Sequence, residues 1–309
     1  MTPRPNAPAY QARRDHPLLG ILCKVIGTLL FAVMFAAVRW LGPHFPIGQM
    51  VFWRSTVGLA VILVTALATG GPKLLVTRRI DAHALRSLAG VMAMFCNFTA
   101  FTLLPLADVT ALGFAAPLFV VILAALMLGE SVHLYRWSAV LVGFAGVLII
   151  VGPHAQMGSG NALIGSVCAL AGAGLTAFAM IYLRRMSSHE HSITIAFYFM
   201  VTTAGISLVT ALWGWNVPTK EEILLLVLTG LAGGLGQLFL SFSYRYAEVS
   251  LLAPFDYAAL IWAVALGYLV FGELPALQVW IGAAIVVVAG LLIVWRERRL
   301  GTLRVSPEL

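Results

Sequence analysis

The chain has 309 residues, of which 61% are apolar and only 10% are charged, and its mean hydropathy is +0.97. Soluble domains are about 45–50% apolar and about 25% charged, so this composition excludes a soluble enzyme, a disordered protein and a secreted disulfide scaffold, and it indicates a membrane protein. The net charge of +7 would suggest a nucleic-acid partner for a soluble protein, but membrane proteins collect Lys and Arg in their cytoplasmic loops.

Ten apolar segments are long enough to cross a bilayer, whose hydrocarbon core takes about 20 residues of helix. In chain order they cover residues 18–41, 47–69, 85–104, 106–128, 134–151, 162–183, 193–213, 223–244, 249–271 and 276–295. The longest connection, 70–84, is too short to hold a soluble domain. The sequence therefore predicts an all-α polytopic membrane protein with ten transmembrane helices.

The Lys and Arg residues, apart from Lys24, Arg39 and Arg54 within the spans, predict the orientation of the chain. If the N-terminus is cytoplasmic, fifteen of them lie on the cytoplasmic side and only Lys220 lies on the opposite side. Basic loops resist translocation, so both termini are predicted to be cytoplasmic, with tails at 1–17 and 296–309. The positive charge then reflects topology, and no nucleic-acid partner is predicted.

The two halves of the chain resemble each other. Equivalent residues recur at nearly constant offsets of 140 to 145, and they include Gly20 and Gly165, Arg39 and Arg184, Asn97 and Gln237, and Glu130 and Glu273. Each copy has five spans, an odd number, so the second copy enters the membrane from the opposite face. Residues 18–151 and 162–295 are therefore predicted to be two inverted five-helix repeats, an architecture of secondary transporters that rock around a site near the midplane.

Several motifs are similar to those of the EamA family of the drug/metabolite transporter superfamily. They are Leu128-Gly129-Glu130 and Phe271-Gly272-Glu273 at helix ends, Ala253-Pro254-Phe255-Asp256-Tyr257, Pro117-Leu118-Phe119, and Arg54 in Phe52-Trp53-Arg54. The resemblance covers all ten spans and implies a carrier in a bacterial inner membrane. Within that family the chain resembles the aromatic amino-acid exporters, which implies export of aromatic and other apolar amino acids. Asp256 departs from the family, since many relatives have a neutral residue there.

Asp256 is the most informative polar residue in the spans, because a charge at the bilayer centre costs at least about 2.5–3.5 kcal/mol on the insertion scale. It follows Pro254, which leaves a backbone carbonyl free nearby. Asp256 either binds a substrate ammonium or a coupling proton, or it forms a structural ion pair with Lys24 or Arg54. We keep both interpretations. Lys24 and Arg54 lie near helix ends and are expected to snorkel towards the interface.

Amide and aromatic side chains complete the predicted substrate site. Asn97 and Gln237 are equivalent under the duplication, so they either face one another across the midplane and bind a zwitterionic solute, or join helices by hydrogen bonds. The aromatic residues would line a cavity for an apolar or aromatic group. The predicted substrate-binding residues are Phe31, Asn97, Phe101, Phe178, Gln237, Tyr244, Asp256 and Tyr257. Pro117 and Pro254 interrupt the fourth and ninth spans and are predicted hinges or gates.

Motifs for other chemistry are missing from the sequence. It contains no GxxxxGK[ST] phosphate loop, no HExxH and no GxSxG, so neither cofactor nor metal is predicted, and no ATPase subunit is implied. The expected partners are a small-molecule substrate and the lipid bilayer. The predicted function is export of amino acids or similar metabolites by alternating access. The alternatives are an importer of a cationic or heteroaromatic metabolite, such as S-adenosylmethionine or riboflavin, and an intramembrane enzyme that relies on Asp256.

Overall fold

The protein is helical throughout the part that the computed structural model describes, which is residues 16–77, 79–128, 134–156, 160–186, 192–247 and 249–299. The α-helices are α1 (Pro17–Leu41), α2 (Ile47–Thr69), α3 (Ile80–Leu103), α4 (Leu106–Gly113), α5 (Ala116–Leu128), α6 (Leu134–Gln156), α7 (Gly160–Met186), α8 (Ser192–Val209), α9 (Lys220–Tyr246), α10 (Val249–Leu252), α11 (Ala258–Phe271) and α12 (Leu277–Arg299). Short 3₁₀ segments cover Pro72–Leu75, Thr210–Trp213 and Ala253–Tyr257. Most of the two predicted tails and the Gly129-Glu130 motif lie outside the described residues.

The predicted spans correspond to long apolar helices. Within the described ranges, nine helical segments are long and apolar enough to cross a membrane, and Leu277–Ile293 of α12 is a shorter apolar stretch at the place of the tenth. The outer surface carries large apolar side chains such as Leu126, Leu148 and Leu269, each at least 70% exposed. A bilayer accommodates such a surface, whereas water does not. The prediction of an all-α, multi-pass membrane protein is confirmed.

Local sequence signals explain several helix ends. Pro17 begins α1 at a position where a missing N–H costs nothing. At the start of α9, the Thr219 hydroxyl accepts a hydrogen bond from the Glu222 N–H, and the Glu222 carboxylate accepts one from the Thr219 N–H at 2.8 Å. This capping box satisfies two backbone groups that the first turn leaves free.

The closest packing joins the first half of the chain to the second. Helix α1 packs along α9, and α3 packs along α7. Under the predicted duplication α1 corresponds to α7, and α9 corresponds to α3. The contact of α1 with α9 is therefore equivalent to the contact of α7 with α3. Gly27 of α1 faces the backbone of Gly236 in α9, and its equivalent Gly172 in α7 faces Asn97 of α3. This equivalence supports the duplication, while the opposite insertion of the halves and the side of the termini stay predictions.

Helices α6 and α12 approach each other closely at two glycines. A Cβ added at Gly282 would lie 2.5 Å from the carbonyl oxygen of Gly146, and one added at Gly146 would lie 2.8 Å from the carbonyl oxygen of Gly282. Small residues at such a crossing let two backbones meet, which is a main source of helix association in lipid.

Replacing Gly282 by Ala is therefore expected to destabilise the protein. Overpacking of this kind lowers the free energy of unfolding by about 1–3 kcal/mol, because the backbones must separate. Thermal unfolding of the purified protein in detergent, followed by tryptophan fluorescence, measures the loss. Gly205→Ala in α8 is the matched control, since an added Cβ there meets no atom within 4 Å. Equal losses in both variants would contradict the importance of the crossing.

Candidate functional site

The fourth and ninth spans are interrupted at equivalent places. Helix α4 ends at Gly113 and α5 begins at Ala116, with Pro117 in its first turn. In the ninth span the chain passes from α10 through the 3₁₀ segment Ala253–Tyr257, whose second residue is Pro254, into α11. Proline has no N–H and cannot continue the preceding helix, but it fits the first turn of the next one. The structure thus contains breaks next to both prolines, whose role as hinges stays a prediction.

The two breaks lie against each other inside the bundle. The ring of Phe114, which follows α4, meets the ring of Tyr257 edge-on with 5.0 Å between centroids. The Tyr257 hydroxyl donates a hydrogen bond of 3.4 Å to the carbonyl of Val287 in α12. Tyr257 is therefore held between the two broken spans and α12. Irregular backbone at membrane depth is tolerated only inside protein or beside a water-filled cavity, so this junction is a plausible place for a polar solute.

Asp256 forms an ion pair with Lys24 beside this junction. The Lys24 ammonium lies 2.5 Å from Asp256 Oδ1, and it donates a hydrogen bond of 3.1 Å to the Tyr244 hydroxyl. Lys24 is buried with 1% of its side chain exposed, whereas the Asp256 side chain is 53% exposed. The structure therefore contains the ion pair named as one alternative for Asp256, with Lys24 as the partner.

The cluster of Lys24, Tyr244 and Asp256 joins three spans at one point. The ammonium also lies 4.9 Å from the centroid of the Tyr244 ring, a cation–π contact. Lys24 does not snorkel as expected, because an acid and a hydroxyl of neighbouring helices already compensate its charge. The exposed half of Asp256 can accept a further hydrogen bond from a solute cation.

The two predicted amides occupy equivalent helix interfaces. Asn97 is half-buried between α3 and α7, where its Oδ1 lies 2.5 Å from the position of a Cβ on Gly172. Gln237 is half-buried on α9, and the neighbouring Gly236 contacts α1. Asn97 therefore lies at a contact between the two halves of the chain, and Gln237 follows a residue that does. Their roles in binding stay predictions.

The predicted aromatic residues are distributed over the core. Phe31 is half-buried, with its ring 3.5 Å from the position of a Cβ on Gly236. Phe101 is 4% exposed and stacks on Phe35 with 4.0 Å between centroids, so it belongs to the packed core in this conformation. Phe178 is half-buried against Tyr182 in α7, with 4.9 Å between centroids. Of this set, Tyr244 and Tyr257 are the aromatic side chains in contact with the ion-pair region.

A second ion pair joins the other ends of the same helices. Arg39 at the end of α1 donates hydrogen bonds to the Glu273 carboxylate and to the Leu104 carbonyl, and a longer one of 3.4 Å to the Phe101 carbonyl. Arg39 and Lys24 are fifteen residues apart, so the two pairs are separated by about 22 Å along α1. Sequence reasoning used Arg39 and Glu273 only as repeat or motif residues. Both residues lie at span ends on the same predicted side of the membrane, where few other charges occur. This scarcity is the signal in the sequence that could have predicted the pair.

The two ends differ in burial. Beside Arg39, Leu41 is 0% exposed and Leu104 is 1% exposed. Tyr244 is equivalent to Leu104 at an offset of 140, yet it is 41% exposed, and the Asp256 side chain is 53% exposed. The side chains around the Lys24–Asp256 pair thus include two that are open to the surroundings.

Comparisons with known proteins give the family of the chain. The model of the EamA-like transporter family matches residues 18–152 and 163–295, one match for each half. The chain is 30% identical to a riboflavin transporter of Vibrio cholerae over 89% of this chain and 93% of that protein. It is 30% identical to the pseudopaline exporter CntI of Pseudomonas aeruginosa, covering 87% and 94%, and 26% identical to an S-adenosylmethionine uptake transporter of Rickettsia prowazekii, covering 91% and 94%.

The fold is also shared with a solved protein. A crystal structure whose chain is 22% identical superposes with a TM-score of 0.64 and covers 91% of this chain and 98% of that one. The three relatives described above are named for other solutes than amino acids, so the resemblance to amino-acid exporters within the family stays a prediction.

Proposed function

The chain belongs to the EamA-like transporter family, and from this premise we propose that it is a secondary carrier that moves a small amphiphilic metabolite by alternating access. It is a multi-pass membrane protein, and its described relatives are bacterial, which is consistent with a bacterial inner membrane. The family is one of transporters, which points away from an intramembrane enzyme.

The observation that carries this proposal is the ion pair at the break of the ninth span, in which Lys24 is buried and the Asp256 side chain is about half exposed. A charge pair in a bilayer is retained for a reason, and pairs in transporters mark solute or ion pathways. Its position beside two interrupted spans, one from each half, corresponds to where inverted-repeat transporters form their binding sites. Solute binding and the rocking of the halves would therefore act on the same residues.

The substrate that we propose first is an amino acid with an aromatic or other apolar side chain, moved outwards. Its ammonium group would pair with Asp256, and its side chain would lie against Tyr244 and Tyr257. The amides of Asn97 and Gln237, with Phe31, Phe101 and Phe178, would complete the cavity in another conformation of the cycle.

A second candidate is uptake of a cationic or heteroaromatic metabolite. The exposed carboxylate of Asp256, with Tyr257 next to it in the chain and Tyr244 on the same lysine, favours a cation with an aromatic group, since ring faces and an acid both attract positive charge. Two of the relatives are named for riboflavin transport and S-adenosylmethionine uptake. Both candidates use the same site and differ in solute and direction.

Counterflow in proteoliposomes separates the candidates. We expect saturable exchange of labelled phenylalanine or leucine, with competition by other apolar amino acids and without ATP. Labelled riboflavin and S-adenosylmethionine form the other arms, and liposomes that lack the protein are the control. Exchange of either metabolite without exchange of any amino acid would establish the second candidate. If no solute in the panel exchanged across a sealed, correctly reconstituted bilayer, the proposed substrate class would be wrong.

A further inference from the structure

Two arginine side chains from neighbouring helices pack against one aromatic ring. Arg54 of α2 is 3% exposed, and its guanidinium carbon lies 5.9 Å from the centroid of the Phe199 ring in α8. Arg86 in α3 is half-buried, and its guanidinium carbon lies 4.4 Å from the same centroid. Arg54 therefore does not snorkel to the membrane surface as expected. The three helices hold two positive charges close to one ring.

Several donors of this pair have no acceptor within the described part of the chain. The Nε atoms of both arginines and Nη1 of Arg86 are buried without a hydrogen-bond partner, and Arg54 Nη1 has only the thioether sulfur of Met200 at 3.1 Å. The hydroxyls of Ser55 and Ser87, which adjoin the two arginines in the chain, are also buried and unpaired in that part. The site therefore has unused hydrogen-bond donors on two helices.

The charge of this pair is uncompensated as well. Lys24 and Arg39 each have a carboxylate partner, but no described carboxylate lies within 4 Å of Arg54 or Arg86. A guanidinium does not lose its proton in proteins, so it cannot escape the cost of burial by becoming neutral. The face of Phe199 offsets part of that cost, since a ring is only a weak partner for a cation. Two like charges in a low-dielectric interior require a negative group.

Glycines of neighbouring helices make room for the Arg54 guanidinium and for the Phe199 ring. A Cβ added at Gly233 of α9 would lie 3.0 Å from Arg54 Nε, and one added at Gly90 of α3 would lie 2.7 Å from the Phe199 ring. The missing side chain at Gly233 thus makes room for the Arg54 guanidinium at the contact of α1, α2 and α9.

We propose that Arg54 and Arg86 bind a small monovalent anion, a carboxylate or chloride, between α2, α3 and α8. The planar donor fork of a guanidinium matches a carboxylate, and both arginines have buried donors that no described acceptor satisfies. The anion is either a carboxylate of the transported solute or a free ion. Only the first source rests on the proposed function.

Thermal unfolding of the full-length protein in neutral detergent tests the binding itself. The ionic strength is kept constant by exchanging isethionate, a bulky anion, for chloride or acetate. Increasing chloride or acetate is expected to raise the Tm in a saturable manner. Arg54→Gln and Arg86→Gln should each raise the anion concentration that gives half of the Tm shift at least tenfold, because binding is weaker. Arg79→Gln is the matched control, because Arg79 is an exposed arginine at the start of α3, and it should titrate as the wild type does. Titration of Arg54→Lys distinguishes lost charge from lost fork geometry.

Two results would overturn the proposal. One is a wild-type Tm that does not depend on which anion is present. The other is an anion response that persists unchanged in well-folded Arg54→Gln and Arg86→Gln proteins. Counterflow then identifies the source: acetate and chloride compete with the solute if its carboxylate occupies the site, and they leave exchange unchanged or increase it if a separate ion does. The unfolding measurement stands even when no solute in the panel is transported, so failure of the proposed function is distinguishable.

Discussion

Replacing Asp256 by Asn is expected to lower transport about ten- to a hundredfold, because the variant loses a charge-assisted hydrogen bond of about 1.5–3 kcal/mol with the solute or with Lys24. The structure gives Asp256 two sides: one oxygen holds the buried Lys24, and more than half of the side chain is exposed. The variant also leaves Lys24 without a counter-charge, so we expect a loss of stability of about 1–3 kcal/mol. This is less than for a fully buried pair, because Asp256 is solvent-accessible.

A double variant separates the two roles of Asp256. Lys24→Met with Asp256→Asn removes both charges together, so no uncompensated ammonium is left in the bilayer. If Asp256 serves transport, the double variant recovers expression and thermal stability but not counterflow. Recovery of counterflow would show that the carboxylate is needed only as the partner of Lys24. Asp81→Asn, at an exposed position in the first turn of α3, controls for the loss of a carboxylate elsewhere.

The spans and their breaks were predictable from the sequence because both depend on local properties. Twenty apolar residues are enough to make a helix the only stable form in lipid, and Pro117 and Pro254 stop the hydrogen bonding of the preceding turns. The start of α3 was less accurate. It begins at Ile80 and not near residue 85, because the polar residues before Leu88 resemble a loop in hydropathy while His83 and Ser87 are buried in the bundle.

The partners in the site were harder to predict, because they depend on packing between distant spans. Lys24 and Arg54 were equal candidates for Asp256, and only the contact of α1 with the ninth span selects Lys24. Arg54 instead faces α8, where its neighbour Arg86 had been counted among the cytoplasmic charges. The buried position of Phe101 is likewise a product of its stacking on Phe35. Periodicity shows that residues share a helix face, but it does not show which helix lies opposite.

Two ion pairs link α1 to the ninth span, one at each end. Beside the Arg39 pair, Leu41 and Leu104 are at most 1% exposed. Under the alternating access that we propose, opening at this end requires Arg39 to leave Glu273 and the Leu104 carbonyl, while opening at the other end leaves these contacts intact. The relative strengths of the two pairs would then set the balance between the two conformations.

Replacing Glu273 by Gln is accordingly expected to shift the protein towards the conformation that is open at the Arg39 end. The loss of a charged hydrogen bond worth about 1.5–3 kcal/mol corresponds to roughly a tenfold to hundredfold change in the ratio of the two states. A cysteine at Ala111, which is 0% exposed, reports on this change in a background where Cys23, Cys96 and Cys168 are replaced. Its labelling by a membrane-impermeant maleimide should become at least about tenfold faster in Glu273→Gln.

Glu221→Gln provides the matched control for this shift, since Glu221 is an exposed acid in the first turn of α9, on the face predicted to be non-cytoplasmic together with Glu273. It removes one negative charge from that face without touching Arg39, so labelling of the Ala111 cysteine should stay at the wild-type rate. Arg39→Gln should resemble Glu273→Gln, because either change breaks the same pair. If neither variant accelerates labelling and both transport normally, the Arg39–Glu273 pair stabilises the fold but does not control access, and the rocking of the halves must be limited by other contacts.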